Sequence, residues 1–278
     1  MSIWNGLFFK QVYELSKSGP AAKRIETVAP ADFDNYFDDI ARRSLPVIVE
    51  NYLPIVGIET IRKTLISQLS DKEFVMRTGD YSSPANYIDK REVLKTSIEH
   101  FLDSELFSGN RNYLGNNEID VSKINCLSDY PAVHSPNVFL PPALWLGPAD
   151  TITPMHKDSS DNFAHILYGK KQWTLVPVVE AEKMNYRAID YRQDSEFAIS
   201  KIDFREGDAF AKLAITSFEV ITEAGDLLYL PMGWGHMVEN VTPCIMVNYW
   251  LDASKAPPGI LGRNQQPSST LGKEVLDQ

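Results

Sequence analysis

His156 and Asp158 stand two residues apart, and His236 follows 78 residues after Asp158. On an extended strand, residues two apart share one side of the sheet, so the first pair can present an imidazole and a carboxylate to one metal ion. The third residue lies too far along the sequence for a local metal loop, so two distant strands of one barrel have to bring it in. Two imidazoles and one carboxylate fill one face of an octahedron and leave three positions open, which is the donor set suited to non-haem Fe(II). His-x-Asp alone is a common turn pair. The surroundings of His236 give it weight: Gly225-Asp226-Leu-Leu-Tyr-Leu-Pro-Met-Gly-Trp-Gly-His236 reads as a tight turn, a buried strand, a proline stop and a glycine/aromatic loop ending on histidine.

The rest of the protein has room for such a barrel. Its 278 residues, 44% hydrophobic, suffice for one large mainly-β domain with helical additions and a full core. A net charge of −10 gives no electrostatic footprint for non-specific nucleic-acid binding. Cys126 and Cys244 are too few for a disulfide scaffold and lack zinc-site spacing, as expected of reduced thiols in a cytoplasmic protein. The N-terminus lacks the basic start and clean apolar core of a secretory signal, and no apolar window approaches a membrane span. The expectation is therefore a protein with neither membrane nor nucleic acid as partner.

Periodicity places the elements. A short amphipathic helix is expected from Ile3 to about Leu15. Phe33, Tyr36, Phe37 and Ile40 mark a helix with Pro30 early in it; Leu45 to Val49 follows as a strand. Ile58, Ile61, Leu65 and Leu69 mark a second helix, and Phe74 to Arg77 a strand. Tyr81 to Asn86 reads as a loop, and Val93, Leu94, Ile98, Phe101 and Leu102 as a third amphipathic helix, with His100 on its surface or in its packing. Prolines at 131, 136, 141 and 142 make 127–142 irregular and suited to bordering the site. From Leu144 onward β signals dominate. A strand pair begins near Phe163 and closes at Pro177. Turns at 223–226 and 241–243 read as hairpins, and the polar stretch from Glu180 to Glu206 as an insertion with some helix that reaches toward substrate.

In combination, Thr153-Pro-x-His-x-Asp, Asn162, Gly169-x-Lys171, Gly-Asp-x-Leu-Tyr-Leu-Pro-x-x-Trp-x-His and Val-Asn248-Tyr-Trp250 resemble the cupin-type JmjC oxygenases. The likeness is strongest to their small hydroxylase branch, which includes the asparaginyl hydroxylase of hypoxia-inducible factor, and it covers roughly Tyr113 to Trp250. It implies a double-stranded β-helix (jelly roll), with residues 1–110 packing on a catalytic core at 111–252 and a loosely ordered tail at 253–278. It also implies Fe(II) on His156, Asp158 and His236, with 2-oxoglutarate and O2 as co-substrates. Lys171 would anchor the far carboxylate of 2-oxoglutarate with Thr153 and Tyr113; Lys170 beside it would face the other way. Asn162, Asn248 and Trp250 would line the cavity, while Trp234 either shapes the pocket or fills the core. Tyr229 reads as core and His165 as a pocket-lining or hydrogen-bonded residue rather than a second metal ligand. The activity implied is hydroxylation at an unactivated C–H of a residue in a peptide or protein. A small metabolite or precursor peptide, an RNA base, a methyl-lysine or a non-catalytic ligand are the competing targets, and a homodimer is left open.

Overall fold

The computed structural model describes residues 24–79, 82–89, 92–158, 160–184, 186–192, 195–205 and 208–252. The helix expected over 3–15 and the tail from 253 lie outside the described residues. In sequence order run β1 (Glu26–Val28), α1 (Pro30–Arg43), β2 (Val47–Val49), α2 (Ile58–Leu69), β3 (Glu73–Thr78), α3 (Pro84–Asp89), β4 (Glu92–Ser97) and β5 (Tyr113–Glu118). Then come β6 (Ala143–Gly147), β7 (Ile152–Asp158), β8 (Asn162–Tyr168), β9 (Lys170–Val176), β10 (Tyr186–Arg192) and β11 (Ser195–Ser200). The last strands are β12 (Phe218–Glu223), β13 (Leu227–Leu230), β14 (Gly235–Asn240) and β15 (Cys244–Trp250).

Two sheets face each other, one in the order β1-β2-β13-β8-β15-β6-β5-β3-β4 and the other β10-β11-β7-β14-β9-β12. From β6 to β9, and from β12 to β15, consecutive strands alternate between the sheets, which is the winding of a jelly roll. The expected hairpins are corrected on this point: the 223–226 and 241–243 turns and the Phe163–Pro177 pair join strands of opposite sheets. Positive φ at Gly169 (81°) and Gly225 (96°) lets the backbone turn the corner where a Cβ would be strained.

Strand alternation sorts the residues into layers. Ala164, Ile166, Leu228, Leu230 and Met246 point between the sheets against Trp173, Leu175 and Val238. Phe163, Leu167, Tyr229, Val247 and Tyr249 point out of the large sheet, where α1 lays down Phe33, Phe37 and Ile40, and α2 adds Ile61, Leu65 and Leu69 to the same core. Full burial of each large apolar residue contributes about 1.5–3 kcal/mol. The irregular 127–142 segment packs on this outer face through Val138 and Phe139, and its Leu140 N–H donates to the carbonyl of Trp250 at 2.8 Å. The insertion forms a 3-10 turn (Val178–Met184) and the β10–β11 hairpin, and its Met184 and Phe204 cover Met155 and Val176 behind the smaller sheet.

Two further expectations change. Residues 92–97 are the strand β4 and not the start of a helix, since Val93 and Leu94 pair with Arg77 and Met76 and stay more than half exposed. The apolar spacing of 93, 94, 98, 101 and 102 imitates a helical stripe, but helical turns begin only at Ile98. Part of the expected 81–86 loop is the short helix α3, entered through Pro84. No helix among the described residues is long and apolar enough to cross a membrane.

His165 faces the outer layer. It is fully buried, its Nδ1 2.9 Å from Ser128 Oγ, which lies 2.6 Å from Tyr249 Oη. It is thus the hydrogen-bonded residue of the two readings. Burial disfavours the imidazolium and pushes the pKa down from 6.5 to about 3. As pH falls below about 6.5 the unfolded protein takes up a proton that the folded protein refuses until about 3, so stability is lost across that window. His165→Gln is expected to flatten the dependence of unfolding free energy on pH by up to about 1.4 kcal/mol per unit. Urea titrations between pH 4.5 and 6.5 measure it; an unchanged slope assigns the proton elsewhere.

Candidate metal centre and co-substrate seat

The smaller sheet sets β14 between β7 and β9, with His236 directly opposite His156 on one side and Leu175 on the other. The two imidazole centroids lie 3.9 Å apart, and His236 Nε2 is 3.8 Å from Asp158 Oδ2. One ligand atom from each of His156, Asp158 and His236 falls within 4.8 Å of the others. Both Nδ1 atoms face backbone carbonyls, His156 that of Pro154 at 2.8 Å and His236 that of Trp234 at 3.1 Å. A carbonyl can only accept, so each Nδ1 carries the hydrogen and each Nε2 keeps its lone pair for a metal. Burial, followed by the neighbouring His236, holds the His156 pKa well below its ordinary range, so the ring is the neutral ligand that metal binding requires.

His156 and Thr153 are an odd number of residues apart, which a regular strand would place on opposite faces. The pairing corrects this: His156 opposes His236 while Thr153 opposes Val238, so β7 spends three steps where β14 spends two. One extra residue is bulged there, at Pro154 and Met155, where proline's missing N–H breaks no ladder bond. The bulge returns Thr153 to the barrel face.

On β9, Lys171 opposes Asn240 of β14 and therefore points inward with Trp173 and Leu175. Lys170 points out and pairs with Glu223 at 2.6 Å. Lys171 belongs to the second strand after β7, with β8 intervening. Only 2% of it is exposed; its Nζ donates to Asn240 Oδ1 at 2.6 Å and to Tyr113 Oη at 3.3 Å. Burial raises the Tyr113 pKa against the pull of Lys171, so the phenol stays protonated. Asn240 was missed by sequence reading because it abuts a turn. Its Nδ2 donates to the carbonyls of Gly147 and Pro148, both at 3.1 Å, which turns Oδ1 toward the ammonium. A Cβ at Gly147 would overlap the Tyr113 ring, so only glycine lets this trio close.

The larger sheet supplies the opposite wall. Asn248 Nδ2 donates to Asn162 Oδ1 at 3.0 Å, and Asn248 Oδ1 is buried without a hydrogen-bond partner among the described residues. Trp250 Nε1 donates to Asp158 Oδ2 at 3.2 Å, so this tryptophan orients the carboxylate. Trp234 is buried with its indole N–H on the Ser44 carbonyl. Asp161, another residue the sequence did not single out, is wholly buried. It accepts from Tyr229 Oη at 2.7 Å and from Met232 N at 2.8 Å, and its carbonyl accepts from Leu251 N. It thereby ties the loop before His236 to the strand that ends in Trp250.

The donor set and the orientation of both imidazoles fit a divalent iron, and the buried ammonium beyond fits a carboxylate reaching down the barrel. A cupin-like domain model matches residues 34–256. Jumonji C domain-containing protein 5 of Drosophila melanogaster is 32% identical over 111 residues, which cover 38% of this protein and 26% of that one. Lysine-specific demethylase JMJ30 of Arabidopsis thaliana is 33% identical over 108 residues (38% and 24%), and 2-oxoglutarate and iron-dependent oxygenase JMJD4 of Mus musculus 27% over 119 (41% and 27%). The matched region spans about a quarter of the length of these curated relatives. Of these names one carries the oxygenase class and one a demethylase, and none carries the narrower asparaginyl-hydroxylase branch. The protein belongs to the cupin-like family, and within it the matched region is similar to JmjC proteins that include one named as a 2-oxoglutarate and iron-dependent oxygenase.

Proposed function

We propose that the protein is a JmjC-type oxygenase that uses Fe(II), 2-oxoglutarate and O2 to hydroxylate an unactivated C–H on a residue of a peptide or protein, releasing succinate and CO2. The observation that carries the reading is the juxtaposition, inside one barrel, of the His156–Asp158–His236 set with the buried cation of Lys171. His156, Asp158 and His236 hold the iron, and Trp250 keeps the Asp158 oxygen aimed. Lys171, with Tyr113 and Thr153, seats the far carboxylate of 2-oxoglutarate, while Asn162 and Asn248 line the near side. When bound, iron with 2-oxoglutarate and O2 supplies oxidising power at an unactivated C–H. The remainder is orientation and exclusion of water by the barrel wall. A lysine demethylase would use the same residues, and the name of JMJ30 keeps that as the second reading. The net charge of −10 steers peptides with neutral or basic flanks toward the protein.

Three outcomes test this reading. Asp158→Ala and His236→Ala are expected to abolish succinate-coupled hydroxylation and to weaken Fe(II) binding by equilibrium dialysis; unchanged values in both remove the metal assignment. Lys171→Met is expected to weaken 2-oxoglutarate binding to the metal-loaded protein by about 2–5 kcal/mol, the range for a buried charge stripped of its partner. If Lys170→Met is the damaged variant, the anchor is misassigned by one residue. Asn240→Leu leaves the ammonium in place but unaimed, and is expected to cost about 1.5–3 kcal/mol of the same binding, read by calorimetry.

A further inference from the structure

The turn between β7 and β8 carries a buried acid that is not among the candidate ligands. Asp161 follows Asp158 by three residues and is wholly buried. A carboxylate taken out of water is destabilising unless donors surround it. Here each oxygen accepts a hydrogen bond: Tyr229 Oη donates to Oδ2 at 2.7 Å, and Met232 N donates to Oδ1 at 2.8 Å. The backbone carbonyl of the same residue accepts from Leu251 N at 3.0 Å. One turn residue therefore holds three separate pieces of chain, namely β13, the loop that leads into β14, and the end of β15. Tyr229 and Met232 are themselves buried, so both donors lose their acceptor if the acid is removed.

Two of those pieces reach the candidate metal ligands. Gly233, next to Met232, donates its N–H to the Asp158 carbonyl at 3.1 Å. Trp234, one residue further, supplies the carbonyl that takes the His236 Nδ1 hydrogen at 3.1 Å. Trp250, next to Leu251, donates its indole N–H to Asp158 Oδ2 at 3.2 Å. The backbone and the side chain of Asp158 are thus both held by residues adjacent to a partner of Asp161. The sheet gives Asp158 less help than it gives His156. His156 sits in the ladder between Ile199 and His236, whereas the pairing of β7 with β14 ends at His156. On that side Asp158 is held by the loop, and the loop sets how the carboxylate stands against the His236 ring.

Resting on the metal assignment of the proposed function, we infer that Asp161 is a positioning residue for the metal centre. A carboxylate outside the ligand set fixes the loop that sets Asp158 against His236. An anchor for the fold alone would change stability; a positioning residue also sets metal affinity and ligand field in protein that is still folded. Asp161→Ala, Asp161→Asn and Tyr229→Phe are titrated with Co(II), a visible-absorbing divalent stand-in for Fe(II), at a temperature where circular dichroism shows each variant folded. Affinity is read by equilibrium dialysis and geometry by the Co(II) absorption bands. Asp161→Ala is expected to bind Co(II) about 10-fold more weakly or worse, the scale for losing a group that orients a ligand, and to shift the bands. Asp161→Asn keeps an acceptor for the Met232 N–H and turns its amide to the Tyr229 oxygen, which can accept, so it is expected to restore affinity and spectrum together. Tyr229→Phe removes one of the two bonds and is expected to fall between. A lower melting temperature with unchanged affinity and bands in Asp161→Ala makes the acid a fold anchor and overturns the inference. A loss in Asp161→Asn as large as in Asp161→Ala assigns the effect to charge and overturns it as well. Should Asp161→Ala fail to fold, Tyr229→Phe decides, and unchanged Co(II) binding there overturns the role. Asp158→Ala separates the two readings: if it binds Co(II) as tightly as the unsubstituted protein, the metal assignment falls and this inference with it. Weak binding in Asp158→Ala beside unchanged binding in Asp161→Ala removes the positioning role alone.

Discussion

The register of β14 against β7 and β9 is the constraint on which the site depends. One strand delivers His236 to His156 on its first side and Asn240 to Lys171 on its second, so the candidate metal ligands and the proposed co-substrate cation are spaced by a single ladder. A slip of one residue would turn both His236 and Asn240 out of the barrel at once. The surrounding structure accordingly resists slippage. The bulge at Pro154–Met155 pins β7, and Asp161 fixes the loop that leads into β14 by accepting from Met232 and from Tyr229. Trp234 anchors the same loop to Ser44 beyond α1, so the N-terminal layer braces the catalytic strand as well as covering the sheet.

Buried polar residues occur both on the barrel's inner wall and in an outer cluster, and the two sets behave differently. Inside, Lys171, Asn240, Asn162 and Asn248 are joined by hydrogen bonds in two groups, and Asn248 Oδ1 is left without a partner among the described residues. Outside, Ser128, Tyr249 and His165 form a short hydrogen-bonded series, in which burial carries the tyrosine pKa upward and the histidine pKa downward. Both shifts keep the groups neutral, so the outer cluster acts as packing with hydrogen bonds. The contrast separates residues arranged for a ligand from residues arranged for the fold, although both sets are polar and buried.

The sequence disclosed what depends on local pattern and concealed what depends on pairing. The triad was legible because His-x-Asp and the Gly-Asp to Trp-x-His run each carry their own strand and turn chemistry, and the inward direction of Lys171 followed from strand alternation once the family register was supplied. Partners were not legible. A glycine turn announces a reversal, but its chemistry is the same whether the next strand returns beside the last or crosses to the facing sheet, and the jelly roll takes the second course. Residues 92–97 misled for a related reason: exposed Val93 and Leu94 on an edge strand complete a helical spacing with Ile98 and Phe101 that the backbone does not follow. Asn240 looked like a turn residue and Asp161 like loop polarity, because what defines them is a contact 69 or 68 positions away in the sequence.

Arg77 shows how far such non-local placement reaches. In sequence it is a lone arginine closing an apolar strand, a position where a snorkelling surface residue is the ordinary expectation. Three distant residues make it something else. Gly115 leaves room for the guanidinium to lie near Trp145, α3 offers Tyr87 as a hydrogen-bond acceptor, and β5 sets Tyr113 directly across the ladder. On the proposed reaction, the metal triad and Lys171 are demands that any relative binding the same co-substrate must meet. Arg77 lies outside that set, and its place is decided by the residues packed around it rather than by its own strand.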